Sequence, residues 1–247
     1  MFSIVKSLFA AGVDIIYPSF CPVCHVRLDS GDDTLCGECW DSLRELISLP
    51  SCSFCGKTAA KYETFNGRCH ECQGLKSQLD YIIRVGAYQS PLKELLWQLK
   101  YCGQSSLDRF LGGLAADTAT IRPEFRELDY LVPIPLHWRR RLRRGYNQSE
   151  LLAEAIARKL TMSGMPRKLN FDLVRIRNTP PQTTLSEARR RANLAGAFAL
   201  RPDHKFSGGK ICLIDDVTTT GTTLETAARV LRRAGASSVG ALVIMVP

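Results

Sequence analysis

Ile211-Cys212-Leu213-Ile214-Asp215-Asp216-Val217-Thr218-Thr219-Thr220-Gly221-Thr222-Thr223 is the stretch on which the fold turns. Its four leading residues are an unbroken apolar run, which reads as a strand buried on both faces of a parallel sheet. Two adjacent carboxylates follow, at the end of the strand where open α/β sheets place their ligands. Beyond the loop, Leu224, Ala227, Ala228 and Leu231 fall on one helical face. Thr222 and Glu225 have capping-box spacing, and Gly235 stands where the helix should close. The Thr/Gly loop is therefore expected to present N–H groups and hydroxyls at a helix N-terminus, a site for a phosphate. No lysine follows Gly221, which argues against an ordinary P-loop ATPase.

Two acids beside a phosphate cradle suit a sugar phosphate. The loop would grip the phosphate while the carboxylates accept hydrogen bonds from vicinal hydroxyls. Here the segment resembles the PRPP-binding motif of type I phosphoribosyltransferases, position for position. That resemblance implies Asp215 and Asp216 as the catalytic pair, with Thr218, Thr219, Thr220, Gly221, Thr222 and Thr223 binding PRPP. The competing reading is a buried strand capped by an Asx/Thr turn that holds no ligand.

The cysteines divide the chain. Eight of its ten form Cys-x-x-Cys pairs at Cys21/Cys24, Cys36/Cys39, Cys52/Cys55 and Cys69/Cys72. In a cytosolic protein this is metal-ligand spacing rather than a disulfide framework. Two pairs complete a tetrahedral zinc site of four cysteines, so two structural zinc ions are expected. Cys36-Gly-Glu-Cys39 echoes Cys69-His-Glu-Cys72, which favours sequential sites over a cross-braced pairing without excluding the latter. Iron–sulfur ligation is also left open by spacing alone. Segments this short bury little core, so the metal is expected to supply their folding free energy. His25 and His70 read as bystanders, and Cys212 as a small buried hydrophobe. Cys102 has no partner in the pattern.

With 247 residues, 45% of them hydrophobic, the chain can hold one medium domain and a small appendage. The predicted boundary places a helix and double zinc ribbon at 1–77 and an α/β domain at 78–247. The formal charge of +9 favours polyanionic partners. Asp14 interrupts the apolar N-terminal stretch, so residues 1–20 read as a helix on the body rather than a signal peptide. No run approaches the ~20 apolar residues of a membrane span, and a cytoplasmic location is expected.

From Asp80 onward strands and helices alternate. Strands are predicted at Tyr81–Ala87, Leu131–Pro135, Ala197–Leu200, Ile211–Ile214 and Val239–Val246. Helices are predicted at Pro91–Tyr101, Leu107–Thr120 and Asn147–Leu160. This alternation predicts a mostly parallel sheet flanked by helices. Arg177–Ser186, with Pro180-Pro181, reads as a loop. Arg139, Arg140, Arg141, Arg143 and Arg144 fall between Trp138 and Tyr146. Such a cluster makes an anion site or a nucleic-acid patch; a solvated basic face is the competing reading.

Taken together, the chain is similar to the ComF/GntX family of competence-type, phosphoribosyltransferase-like proteins. The likeness rests on the paired cysteines, Leu-Lys-Tyr at 99–101, Val-Pro-Ile-Pro with Arg-Gly-Tyr-Asn-Gln, Thr-x-x-Gln-x-x-Leu, Arg-x-x-Asn with Gly-Ala-Phe, and the PRPP motif. One small departure is Tyr146, where the family commonly has Phe. The resemblance implies a pyrophosphate loop over Val132–Arg144, using Pro133, Ile134, Arg139, Arg143 and Arg144. It also implies a flexible loop over Arg177–Arg191 carrying Gln182 and Arg189, and Mg²⁺ bound with PRPP. It further implies the handling of imported single-stranded DNA, in transformation or in the use of DNA as a nutrient. Trp97, Trp138 and Tyr146 would offer stacking faces to such a strand. DNA-uptake or helicase partner proteins are implied too, though no residue identifies them. The alternative is a phosphoribosyltransferase that transfers ribose 5-phosphate from PRPP to a small base or amine and has no DNA role.

Overall fold

The computed structural model describes residues 20–28, 34–60, 63–101, 105–178, 194–204 and 206–247. Gln182, Arg189, most of the expected flexible loop, Cys102 and the N-terminal helix lie outside these residues.

The buried runs of the sequence form one five-stranded sheet. In chain order its strands are β3 (Ile82–Ala87), β4 (Tyr130–Pro133), β5 (Lys168–Leu169), β8 (Lys210–Val217) and β9 (Ser238–Val246). Their spatial order is β3-β9-β8-β4-β5, and every neighbouring pair is parallel. Alternation along the strands divides the core in two. Cys212, Ile214, Leu242, Ile244, Ile83 and Val85 point to one face. Ile211, Leu213, Val239, Ala241, Val243 and Ile82 point to the other.

Helices fill both faces, as a doubly covered parallel sheet requires. On the first lie α2 (Leu92–Tyr101), α3 (Ser105–Thr120) and α6 (Gln148–Met162), whose Leu152, Ile156 and Leu160 are buried in the core. The single turn α4 (Pro123–Arg126) adds Phe125 to the same core. On the second face lies α7 (Thr222–Arg233), burying Leu224, Ala227, Ala228 and Leu231. Each fully buried leucine contributes roughly 1.5–3 kcal/mol through the apolar area it removes from water.

Four local expectations change. The strand begun at Ile211 continues through Asp215 and Asp216 to Val217, because those residues keep their ladder to β9. Ala197–Leu200 does not join the sheet. Its counterpart β7 (Phe198–Leu200) pairs antiparallel with β6 (Leu173–Arg175) in a separate two-stranded ribbon. The arginine cluster forms a short helix, α5 (Trp138–Arg144), capped by the imidazole of His137 and closed by Gly145 at φ +85°. Thr222 and Glu225 make no capping box, since the N-cap is Gly221 at φ +69° with no side-chain cap bond. The Glu225 carboxylate instead accepts from Ser77 Oγ at 2.6 Å and from Gln78 N at 3.0 Å.

The cysteine-rich region packs onto this body. Its helix α1 (Gly37–Ser48) buries Cys39, Leu43 and Leu46, a one-faced spacing. Cys21, Leu35, Cys39 and Leu43 share a core cluster with Leu92, Leu96 and Ile83. Apolar packing therefore runs across positions 77/78 without a break. A second piece, the hairpin β1 (Thr64–Phe65) and β2 (Arg68–Cys69), sits at the sheet's β3 edge. There Ile82 N donates to Ser53 O at 2.7 Å.

Candidate functional site

The topology picks out one place on the sheet. From β8 the chain crosses through α7 to β9, whereas from β4 it crosses through α6 to β5 on the opposite side. The strand order thus reverses between β8 and β4, and at such a switch point the carboxyl ends leave a crevice. A cavity of about 920 Å³ opens there, lined by Asp215, Asp216, Ile134 after β4, Tyr88 after β3, and Met245.

Asp215 and Asp216 occupy the end of β8, and both line the cavity. Ser149 Oγ donates to Asp215 Oδ1 at 3.0 Å. Lys100 Nζ lies 2.8 Å from Asp216 Oδ2, and Gln148 Nε2 donates to the same oxygen at 3.2 Å. Burial, and then the neighbouring Asp216 carboxylate, push the Asp215 carboxyl up to about 7. Arg175 also lines the cavity, and burial lowers its guanidinium to about 10.

The loop follows directly. Thr219 and Thr223 line the cavity. Thr218 is buried, and its N–H is spent on Met245 O at 3.2 Å. The Thr220 and Thr222 hydroxyls pair at 2.8 Å. A Cβ at Gly221 would meet nothing within 4 Å, so its positive φ, not crowding, is what calls for glycine.

The β4 side is held by Asn147, whose Nδ2 donates to Ile134 O at 3.0 Å while its Oδ1 accepts from Ser149 N. Pro133 ends β4, and Ile134 N donates to Ile214 O. Of the five arginines in α5, only Arg140 reaches the cavity. Arg139 lies over the Trp138 ring, Arg144 over Tyr101, and Arg141 pairs with Glu150 at 2.8 Å. Arg143 is exposed. A seven-residue helix turns successive side chains about 100° apart, so one cluster serves several directions.

Lys100, Ser149, Gln148 and Arg175 therefore belong to the site without having been singled out for it, and Arg140 joins it from the cluster read as an anion site. The first three stood inside or beside Leu-Lys-Tyr and Arg-Gly-Tyr-Asn-Gln, among residues that were read for other reasons. Arg175 gave no signal, because the short ribbon that carries it has no marked periodicity.

The eight thiols form two sequential clusters, Cys21/Cys24/Cys36/Cys39 and Cys52/Cys55/Cys69/Cys72, with the sulfurs of each within 4.8 Å of one another. Four thiolates so gathered fit tetrahedral zinc, and neither histidine belongs to a cluster. The all-oxygen set at Asp215, Asp216 and the threonines has the hardness Mg²⁺ prefers. Among the described residues no helix is long and apolar enough to cross a membrane.

Two family models match the chain. A double zinc ribbon domain model matches residues 12–73, and a phosphoribosyl transferase domain model matches residues 147–246. The chain is 31% identical over 223 residues to competence protein F of Haemophilus influenzae, covering 89% of this chain and 93% of that one. It is 32% identical over 225 residues to DNA utilization protein YhgH of Salmonella typhimurium, covering 90% and 94%. It is 28% identical over 222 residues to competence protein ComFC of Bacillus subtilis, covering 87% and 85%.

Proposed function

The chain belongs to the ComF/GntX family, and we propose that it is a PRPP-binding protein that handles imported single-stranded DNA in the cytoplasm. The observation that carries the PRPP half is the Asp215–Asp216 pair beside the Thr/Gly loop, set at the switch point of a parallel sheet. The two carboxylates accept hydrogen bonds from the ribose hydroxyls. N–H groups and hydroxyls of residues 219–223 take the 5-phosphate at the start of α7. Arg140 and Arg175 supply positive charge for the pyrophosphate. Ser149 and Gln148 orient the carboxylates. Lys100 holds Asp216 where a cation would sit, so the ligand must displace or join it. Mg²⁺ bound with PRPP would neutralise phosphate charge beside Asp215 and Asp216.

The DNA half rests on what the relatives are called, a competence protein and a DNA utilization protein, and on the net charge of +9. Arg139 and Arg143, turned away from the cavity, suit an extended polyanion. Eight clustered thiols call for a reducing compartment, which supports the cytoplasm.

Calorimetric titration of PRPP, with and without a single-stranded oligonucleotide, tests both halves, with released pyrophosphate assayed alongside. Saturable PRPP binding together with salt-sensitive strand binding is expected. Pyrophosphate released only when a small base is supplied, with no strand bound at low salt, would favour the small-molecule transferase instead.

A further inference from the structure

One buried charge on the sheet has no use in the cavity. Arg84 on β3 is 4% exposed, and neither Nη1 nor Nη2 has a hydrogen-bond partner among the described residues. A guanidinium keeps its charge and its N–H donors wherever it sits, so burying one without an anion is costly. Alternation along β3 puts Arg84 on the same face as Ile82. Ile82 in turn meets the second cysteine cluster. Its N–H donates to Ser53 O at 2.7 Å, and a Cβ on Gly56 would come within 3.2 Å of its side chain. Cys55 stands between Ser53 and Gly56 in the chain. Burial lowers the Arg84 guanidinium, and the Cys55 sulfur acts against that shift.

The cluster itself has the dimensions of a zinc site. A tetrahedron with Zn–S bonds of about 2.3 Å has edges of about 3.8 Å, and Cys55 Sγ and Cys69 Sγ are 3.9 Å apart. Cys69 N already donates to Cys52 Sγ at 3.3 Å. Lys57, whose charge also reaches Cys55 and Cys69, is paired with Glu71 at 3.0 Å. Four thiolates and one divalent zinc would sum to a diffuse dianion, which suits a planar, weakly hydrated guanidinium better than a compact ammonium.

We propose that Arg84 serves the second metal centre: its guanidinium donates N–H bonds to the thiolates, Cys55 among them, and offsets the negative charge that they bring to zinc. Such bonds draw electron density from sulfur. They hold the thiolates in place and make them poorer targets for protons, electrophiles and oxidants. The metal centre is at the same time the anion that Arg84 otherwise lacks. Groups that hydrogen-bond to a metal's ligands commonly change its affinity about 10–100-fold.

The Cys24→Ser, Cys36→Ser chain, whose first cluster is broken, isolates the second. With cobalt(II) in place of zinc, its thiolate-to-cobalt charge-transfer band is read by absorption. The band should move to longer wavelength in Arg84→Met, because thiolates without a donor give up an electron more readily. It should return towards its starting position in Arg84→Lys, which keeps the charge. Competition with a chromogenic chelator should find zinc held about 10–100-fold less tightly in Arg84→Met, with Arg84→Lys between. An unmoved band in metal-loaded Arg84→Met overturns the assignment, whatever the affinity. Should Arg84→Met fail to fold, Arg84→Lys decides. A tetrahedral cobalt spectrum in that variant supports a role for the charge, and equal failure of both assigns the arginine to packing and overturns it. Zinc content of the unaltered chain is measured first. Fewer than two ions would sink the zinc reading along with the role of Arg84, whereas an unmoved band sinks the latter alone.

Discussion

The two zinc ribbons have the same four-thiol chemistry and face different ways. The first lends Pro22, Val23 and His25 to the cavity wall and is tied to α2 through Gln98. Among the described residues the second contributes none to the cavity lining, and it closes the β3 edge of the sheet. Ser53 O takes the Ile82 N–H there, and a Cβ on Gly56 would come within 2.9 Å of Val246 and 3.2 Å of Ile82. An open edge strand presents unpaired backbone groups to any passing chain. One ribbon thus shapes what binds, and the other protects what folds.

The sharpest way to break this contrast is to remove each cluster in turn. Cys55→Ser with Cys69→Ser should abolish the cooperative thermal transition of the whole sheet, followed by far-ultraviolet circular dichroism. Cys24→Ser with Cys36→Ser should leave that transition in place at a lower midpoint and damage ligand binding more than folding. Elemental analysis should find two zinc ions in the wild type and one in the second variant. Equal loss of folding in both would erase the distinction.

Arg84 on β3 sharpens it. The residue is 4% exposed, and its Nη1 and Nη2 have no partner among the described residues. Burial lowers its guanidinium, and the Cys55 sulfur opposes that shift. Four thiolates around one divalent zinc would leave the cluster negative overall and would give the guanidinium a counter-charge. With zinc present, Arg84→Met should cost about 3–5 kcal/mol, the loss expected when one partner of a buried pair is removed. In metal-free protein the same change should be neutral or stabilising. Chelator-challenged melts read both signs.

On the cavity side the effects should fall on ligands. Asp215→Asn with Asp216→Asn should weaken PRPP roughly 100-fold, the loss of one or two charge-assisted hydrogen bonds, while the melting transition persists. Unchanged affinity by calorimetry would take PRPP out of this cavity. The same carboxylates predict a pH profile. Asp215 titrates near 7 in the folded chain and about 3.9 unfolded, so the folded state binds its proton more tightly. Ligand-free stability from this group is therefore full below about pH 4 and is lost as pH rises through about 7. Ribose hydroxyls prefer the ionised form, so PRPP affinity should rise with pH by up to about tenfold per unit below about 7 and level off above it. A flat profile would mean that the pair does not meet the sugar. Smallest of all, Arg139→Ala with Arg143→Ala should lower the log–log salt slope of strand binding by ~1.4, at roughly 0.7 per lost phosphate contact, and leave PRPP affinity alone.

How far the residues foretold this arrangement depended on how local the cause was. The run Ile211–Ile214 is buried on both faces whatever surrounds it, so the parallel sheet was legible. Cys-x-x-Cys spacing is equally local, and the echo of Cys36–Cys39 in Cys69–Cys72 pointed to the sequential clusters found. Glu225 misled because capping-box spacing is only a local preference, and a longer-range partner at Ser77 and Gln78 won. The arginine cluster misled in another way, since composition does not say which side of a helix turns inward. Lys100 and Arg175 meet Asp215 and Asp216 only through the fold, which no spacing rule encodes.

The pairing of β3 with β9 has a consequence in time. Ile82 lies opposite Ala241 and Ala87 opposite Val246, so the strand next to the ribbons pairs with a segment 159 residues further along the chain. The ribbons assemble from short-range contacts, whereas closing so long a loop is slow. During synthesis the thiols can therefore load metal while β3 is still a solitary strand waiting for β9. Zinc loaded at that stage would let the second ribbon cover one flank of β3, through Ser53 O and Ile82 N, before β9 covers the other.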